Sequence, residues 1–153
     1  MRTPLDDEVA DRIRRRGPIP FSEVMEIALY DPEHGFYASG GAAGRRGDFI
    51  TSSEVGPLFG ALIGRTLDRT CRALGEPDPF VVIEAGAGAG TLARSVMAGK
   101  PACGPALTYV MVERSAALRA HHGEHLPLVE PIAALDADGD GPRAVSLAEL
   151  PPG

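Results

Sequence analysis

The residues best suited to chemistry lie in a glycine-rich segment that follows a short apolar run. Residues 80–83 are apolar and mostly β-branched, a pattern that predicts a strand buried in a parallel sheet. Three alternate glycines follow the strand: Gly86, Gly88 and Gly90. Glycine lets the backbone approach a ligand closely, and the helix predicted to begin at Thr91 offers free N–H groups and the positive end of its dipole. The segment therefore predicts a ligand site between a strand and a helix.

Two carboxylates are placed to complete this site. Glu84 ends the strand before the glycines, where it would attract an ammonium group, and Glu113 follows a second predicted strand at residues 107–112. A carboxylate in that second position can accept two hydrogen bonds from a ribose diol. The pair predicts a ligand with a cationic, amino-acid-like end and a ribose. The predicted contacts from the strand ends and the loop are Glu84, Gly86, Ala87, Gly88, Gly90 and Glu113.

The identity of the ligand follows from what the glycine pattern lacks. A dinucleotide fingerprint would place a third glycine where Thr91 stands, and the acid at Glu84 would repel a pyrophosphate. A P-loop is excluded because no Gly-Lys-Ser/Thr follows the glycines. These features favour S-adenosylmethionine over NAD. The glycines alone also fit a strand–helix turn without a ligand, and Glu113 alone also fits an exposed carboxylate near a helix start.

The elements around this segment predict an α/β fold. Helical spacing or capping residues predict the helices, and apolar β-branched runs predict the strands. The predicted order is helix 4–16, helix 22–29, helix 54–74, strand 80–83, helix 91–98, strand 107–112, a helix after Ser115 and a strand at 144–147. This alternation is typical of the right-handed crossover of a doubly wound, Rossmann-like sheet. We predict a helical segment at residues 1–75, containing a glycine-rich loop at 33–50, and a cofactor-binding domain at 76–153.

Composition narrows the class of partner. The 153 residues carry a net charge of −6, which disfavours broad nucleic-acid binding. The sequence has no apolar run of the roughly 20 residues that a membrane span needs, and Cys71 and Cys103 lack metal-ligand or redox spacing. Asp136 begins a superficially calcium-like spacing, but Leu147 stands where the loop needs an acid. We expect a cytoplasmic protein with free thiols, no metal site and no membrane or nucleic-acid partner.

Two further segments carry a resemblance to a known family. Residues 30–37 read Tyr-Asp-Pro-Glu-His-Gly-Phe-Tyr, and residues 47–60 run from Gly-Asp-Phe-Ile-Thr-Ser-Ser-Glu to Val-Gly-Pro-Leu-Phe-Gly. Together with the glycine segment and residues 109–115, they resemble the MidA-type S-adenosylmethionine-dependent methyltransferases. That family includes the mitochondrial assembly factor that methylates an arginine on a subunit of respiratory complex I. Ser53 and Ala89 are minor departures from its pattern.

The resemblance implies a class I methyltransferase fold with an added N-terminal helical segment. It also implies that residues 47–54 pack beside the cofactor, which makes Thr51, Ser52 and Glu54 candidates for the pocket. Capping of the following helix is the other reading of Thr51 and Ser52. In the family, a segment like residues 146–151 continues into a strand with an Asn-Glu acidic motif beside the acceptor site, and this sequence ends before that motif. We therefore expect the N-terminal portion of the fold, without its later strands.

Three functions remain open at this point. The first is a methyltransferase, here as a truncated chain. By analogy with the family, its methyl acceptor would be an arginine of a protein. The second is a catalytically inactive remnant that binds S-adenosylmethionine or a partner. The third is an NAD(P)-binding Rossmann protein, against which Glu84 and Thr91 count. No residue of the sequence identifies itself as the catalytic base.

Overall fold

A computed structural model describes residues 2–38, 41, 51–131 and 141–150. The chain forms two compact units, residues 1–41 and residues 42–153. Most of the predicted glycine-rich loop, namely residues 39–40 and 42–50, and the acidic stretch at 132–140 lie outside the described residues. Within the described ranges, the helices are too short or too polar to cross a membrane.

The first unit contains two helices, α1 (Pro4–Arg16) and α2 (Phe21–Tyr30). A reciprocal capping box begins α1, because the Thr3 hydroxyl accepts from the Asp6 N–H at 3.2 Å and the Asp6 carboxylate accepts from the Thr3 N–H at 2.8 Å. Arg12 donates to Glu8 on its own helix at 2.7 Å and to Glu23 on α2 at 2.9 Å. The helix predicted at residues 4–16 is confirmed, and the one predicted at 22–29 extends one residue further at each end.

The second unit is a parallel sheet with helices. Its elements are α3 (Ser52–Val55), α4 (Pro57–Ala73), β1 (Phe80–Ala85), α5 (Thr91–Ala98), a 3-10 turn (Gly104–Ala106), β2 (Leu107–Val112), α6 (Ala116–Arg119), α7 (His122–His125) and β3 (Arg143–Leu147). The strands pair in the order β1-β2-β3, and both pairings are parallel. The predicted α/β fold with N-terminal helices is confirmed.

One predicted helix is broken in two. The apolar spacing predicted a continuous helix from residue 54 to 74, but Gly56 adopts an extended conformation and separates α3 from α4. Pro57 supplies the physical reason, because its ring disfavours a helical conformation at the residue before it and suits the first position of a new helix. The prediction of a single helix was wrong at this point.

The hydrophobic core of the second unit lies around β2, the central strand of the sheet. Leu107 and Met111 on β2 are fully buried, and Tyr109 between them is 2% exposed. Ala93 and Val96 of α5 cover the same core, and α4 packs against α5. The domain boundary predicted after residue 75 stays a prediction, although α4, which precedes it, belongs to the same compact unit as the sheet.

Candidate functional site

The glycine loop, residues 86–90, connects β1 to α5 at the carboxyl edge of the sheet. Gly86, Gly88 and Gly90 have φ angles of 74°, 57° and 80°, the left-handed region that residues with a side chain rarely adopt. The N–H groups of Gly86 and Ala87 both donate to the Val112 carbonyl at the end of β2, at 2.8 and 3.1 Å. A Cβ added at Gly86 or Gly88 would meet no atom of the described residues within 4 Å. The loop therefore presents backbone to open space.

Glu113 lies directly after β2, against this loop, as the sequence predicts. It is 6% exposed, and one carboxylate oxygen accepts from the Gly88 N–H at 2.9 Å while the other accepts from the Ser115 N–H at 2.7 Å. Its own N–H donates to the Leu147 carbonyl at the end of β3, at 3.0 Å. A carboxylate has about four acceptor positions, so two remain for hydroxyl groups of a ligand.

Glu84 lies at the carboxyl end of β1, where a cation would be held. Its carboxylate accepts a hydrogen bond from the Tyr109 hydroxyl at 2.9 Å. Partial burial raises the pKa of Glu84 above its usual value, and the hydrogen bond from Tyr109 opposes this only in part. Burial and the neighbouring Glu84 together raise the pKa of Tyr109, so the phenol remains a donor. An ammonium group beside Glu84 would stabilise the ionised carboxylate.

The predicted pocket residues of the 47–54 segment are described only in part. Thr51 and Ser52 are exposed, and the Thr51 hydroxyl bonds to the Ser53 hydroxyl at 2.9 Å rather than to the backbone of α3. The capping reading of Thr51 thus finds no support. α3 contacts α5, the helix that follows the glycine loop. The side chain of Glu54 lies outside the described residues, and the pocket role of all three stays a prediction.

His122 is a site residue that the sequence analysis missed. It is 1% exposed, its Nε2 lies 2.8 Å from the Gly88 carbonyl oxygen, and its Nδ1 lies 2.8 Å from the Ser146 hydroxyl. These partners are 34 and 24 residues away in the chain. No local spacing could have marked the residue, because a single histidine after a short helix carries no pattern.

The two cysteines are free and buried, which confirms the expectation of free thiols. Burial raises the pKa of the Cys103 thiol to about 12, and the Asp68 carboxylate beside it acts in the same direction. Burial also raises the pKa of the Cys71 thiol. Both thiols are therefore protonated at neutral pH, which makes them poor nucleophiles.

Comparison with known proteins relates this geometry to a family. Residues 62–136 match a family described as "Putative S-adenosyl-L-methionine-dependent methyltransferase". A Drosophila melanogaster protein named protein arginine methyltransferase NDUFAF7 homolog, mitochondrial, is 43% identical over 93 residues, which are 61% of this chain and 21% of that protein. The human protein arginine methyltransferase NDUFAF7, mitochondrial, is 35% identical over 95 residues, 62% of this chain and 22% of that one. The match thus spans about a fifth of the length of these curated relatives.

Solved structures extend the comparison to the whole chain. A COG1565 superfamily member from Burkholderia thailandensis, crystallised with S-adenosyl-homocysteine, superposes with a TM-score of 0.72 at 33% identity. The superposition covers 99% of this chain and 40% of that one. A native crystal structure of a COG1565 superfamily protein from the same organism gives a TM-score of 0.67 at 30% identity, over 99% and 38% of the two chains.

Proposed function

Because the chain belongs to this family of S-adenosylmethionine-dependent methyltransferases, we propose that it forms the cofactor-binding part of a methyltransferase. One observation carries the proposal: a Cβ at Gly86 or Gly88 would meet no atom of the described residues within 4 Å, and this loop lies at the strand ends that carry Glu84 and Glu113. The relative crystallised with S-adenosyl-homocysteine supports the same ligand class.

The residues fit the two ends of this cofactor. Glu84 is partly buried and forms no ion pair with the residues that the structure describes, so it suits the ammonium group of the amino-acid end. Glu113 keeps acceptor capacity for ribose hydroxyls after binding the N–H groups of Gly88 and Ser115. S-adenosylmethionine, when bound, supplies a methyl group already activated by its sulfonium. The work of the chain is then to hold and orient the cofactor and to shield it from water.

The acceptor that we propose is an arginine side chain of a protein. The support is the name of the curated relatives, which are protein arginine methyltransferases. A guanidinium acceptor would need carboxylates to orient it and to receive its proton as nitrogen becomes methylated. Glu84 and Glu113 are assigned to the cofactor, so the proposal places the acceptor carboxylates elsewhere in the protein.

Titration calorimetry tests the cofactor assignment. We expect S-adenosylmethionine and S-adenosyl-homocysteine to bind and NAD not to bind, because Glu84 repels a pyrophosphate. Absence of binding by both adenosyl compounds would refute the proposal, and preferential binding of NAD would favour an oxidoreductase.

Incubation with methyl-labelled cofactor and arginine-containing protein acceptors then separates transfer from binding alone. Binding without transfer to any protein would favour an inactive binding module.

We expect Glu84→Gln to weaken S-adenosyl-homocysteine binding about tenfold. The ammonium group loses a charged partner, and a charge-assisted hydrogen bond contributes about 1.5–3 kcal/mol. Calorimetry measures the change, and Glu130→Gln serves as control because it removes the same charge at an exposed position. Equal affinities for the two variants would show that Glu84 does not face the amino-acid end.

The raised pKa of Glu84 also predicts how stability and binding depend on pH. Because folding favours the protonated carboxyl, its contribution to stability is present below the unfolded pKa and is lost as pH rises through the folded pKa. Affinity for the cationic ligand should change in the opposite direction, rising as Glu84 ionises. As pH rises from mildly acidic to neutral, the melting temperature of the free wild type and its Kd for the ligand should therefore both fall, since stability decreases while affinity increases. In Glu84→Gln we expect higher stability of the free protein at neutral pH and a flatter affinity profile.

A further inference from the structure

The peptide units on both sides of Gly88 are held by buried side chains. Its N–H donates to Glu113 at 2.9 Å, and its carbonyl oxygen lies 2.8 Å from Nε2 of His122. We propose that His122 is a positioning residue, which fixes the Gly88 carbonyl and so sets the glycine loop for S-adenosylmethionine. This inference rests on the proposed function and adds to it a residue outside the glycine motif.

The hydrogen-bond partners determine which nitrogen of His122 carries a proton. A carbonyl oxygen can only accept, so Nε2 must donate to Gly88. The Ser146 hydroxyl on β3 can donate to Nδ1 or accept from it, so it satisfies the second nitrogen at 2.8 Å. Both ring nitrogens of this buried side chain are therefore bonded, and the orientation of the imidazole is held by β3.

The imidazole of His122 also restricts the space for a side chain at a second loop position, Gly90. A Cβ added at Gly90 would lie 3.3 Å from Cδ2 of His122 and 3.3 Å from Sδ of Met111. The loop is thus joined to β2 through the Val112 carbonyl and to β3 through His122 and Ser146. These contacts connect the loop to two neighbouring strands of the sheet.

The fixed carbonyl matters because glycine by itself leaves the loop many conformations. Gly88 has a φ of 57°, one of several regions open to a residue without a Cβ. If the bond from His122 were lost, the binding-competent conformation would be a smaller fraction of the population, and the apparent Kd would rise in proportion. The part-buried Gly88 carbonyl would also lose its hydrogen-bond donor, which further destabilises this conformation.

Substitutions of His122 separate a donor from a merely space-filling core residue. His122→Leu fills a similar volume without a donor, whereas His122→Gln can still place an amide N–H near the Gly88 carbonyl. We expect the leucine variant to bind S-adenosyl-homocysteine about tenfold more weakly and the glutamine variant to recover most of that loss. His121→Leu is the matched control, because this neighbouring histidine is exposed. Titration calorimetry well below the melting temperature of each variant gives the Kd values.

A second readout does not depend on the ligand. We expect the amide resonance of Gly88 in a proton–nitrogen correlation spectrum to move in His122→Leu and to return toward its wild-type position in His122→Gln. Ser146→Ala, which removes only the partner of Nδ1, should shift the same resonance and weaken binding about threefold. This variant also tests the proposal if His122→Leu fails to fold.

The outcomes distinguish this inference from the proposed function. If wild-type protein binds the ligand and His122→Leu binds equally well, the positioning role is wrong while the cofactor assignment stands. If His122→Gln and His122→Leu weaken binding equally at similar melting temperatures, hydrogen-bond donation to the Gly88 carbonyl is not what His122 contributes. If the wild type binds neither adenosyl compound, the proposed function fails, and an unmoved Gly88 resonance in the variants would overturn the loop contact separately.

Discussion

Replacing Glu113 by alanine is expected to weaken S-adenosyl-homocysteine binding about a hundredfold. The carboxylate holds the N–H groups of Gly88 and Ser115, and in the proposed complex it also accepts from the ribose. Hydrogen bonds to a charged group contribute about 1.5–3 kcal/mol each, so losing the ribose contacts and the support of the loop removes about 3 kcal/mol. The N–H groups of Gly88 and Ser115 would also lose this acceptor, so the melting temperature should fall.

A graded series separates the binding role of Glu113 from its structural role. Glu113→Gln retains one carbonyl oxygen, which can accept from Gly88 or from Ser115 but not fully from both. We therefore expect it to be intermediate in affinity and in melting temperature. Glu124→Ala is the control, because this carboxylate is exposed. If Glu113→Ala lowers the melting temperature but leaves the Kd unchanged, the carboxylate serves only the loop, and the ribose assignment is wrong.

Gly60→Ala is expected to lower the free energy of unfolding by about 2 kcal/mol. Alanine in a helix normally adds about 1 kcal/mol of stability over glycine. Here the new Cβ would overlap the side chain of Ser95 on α5 and lie 2.8 Å from the Ser95 carbonyl carbon. Rotation of the serine cannot relieve a clash with backbone, so α4 and α5 must move apart, and overpacking of this kind costs about 1–3 kcal/mol.

Gly64 provides a matched control in the same helix. It is buried like Gly60, but a Cβ added there meets Pro101 Cβ at 3.7 Å, an ordinary van der Waals distance. Gly64→Ala should therefore raise the free energy of unfolding by about 0.5–1 kcal/mol. Urea denaturation followed by circular dichroism measures both variants. Similar changes at the two positions would show that α4 and α5 do not approach each other as closely as the structure has them.

Several parts of the site could be predicted because their signals are local. Continuous apolar runs marked both strands, and β2 is buried as predicted. The burial predicted for residues 80–83 was wrong for one face of β1, where the described residues leave Val81 and Ile83 43% and 53% exposed. The loop was marked by glycines, the residue type that most readily adopts positive φ. The positions of Glu84 and Glu113 followed from parallel topology, which brings the carboxyl ends of β1 and β2 to one edge of the sheet. The division into α3 and α4 was missed although Gly56 and Pro57 signalled it, because apolar spacing was given more weight than the proline.

The sequence by itself thus determined the α/β class, the glycine loop and the two carboxylates that flank it. Only the tertiary structure showed that Glu113 accepts from the Gly88 N–H and that His122 bonds to the Gly88 carbonyl. It also showed that a Cβ has room at Gly64 but not at Gly60. The reason is the range of the interactions. Strand formation, capping and turn geometry depend on neighbouring residues, whereas these contacts join residues 25 and 34 positions apart, or helices whose separation depends on the whole core.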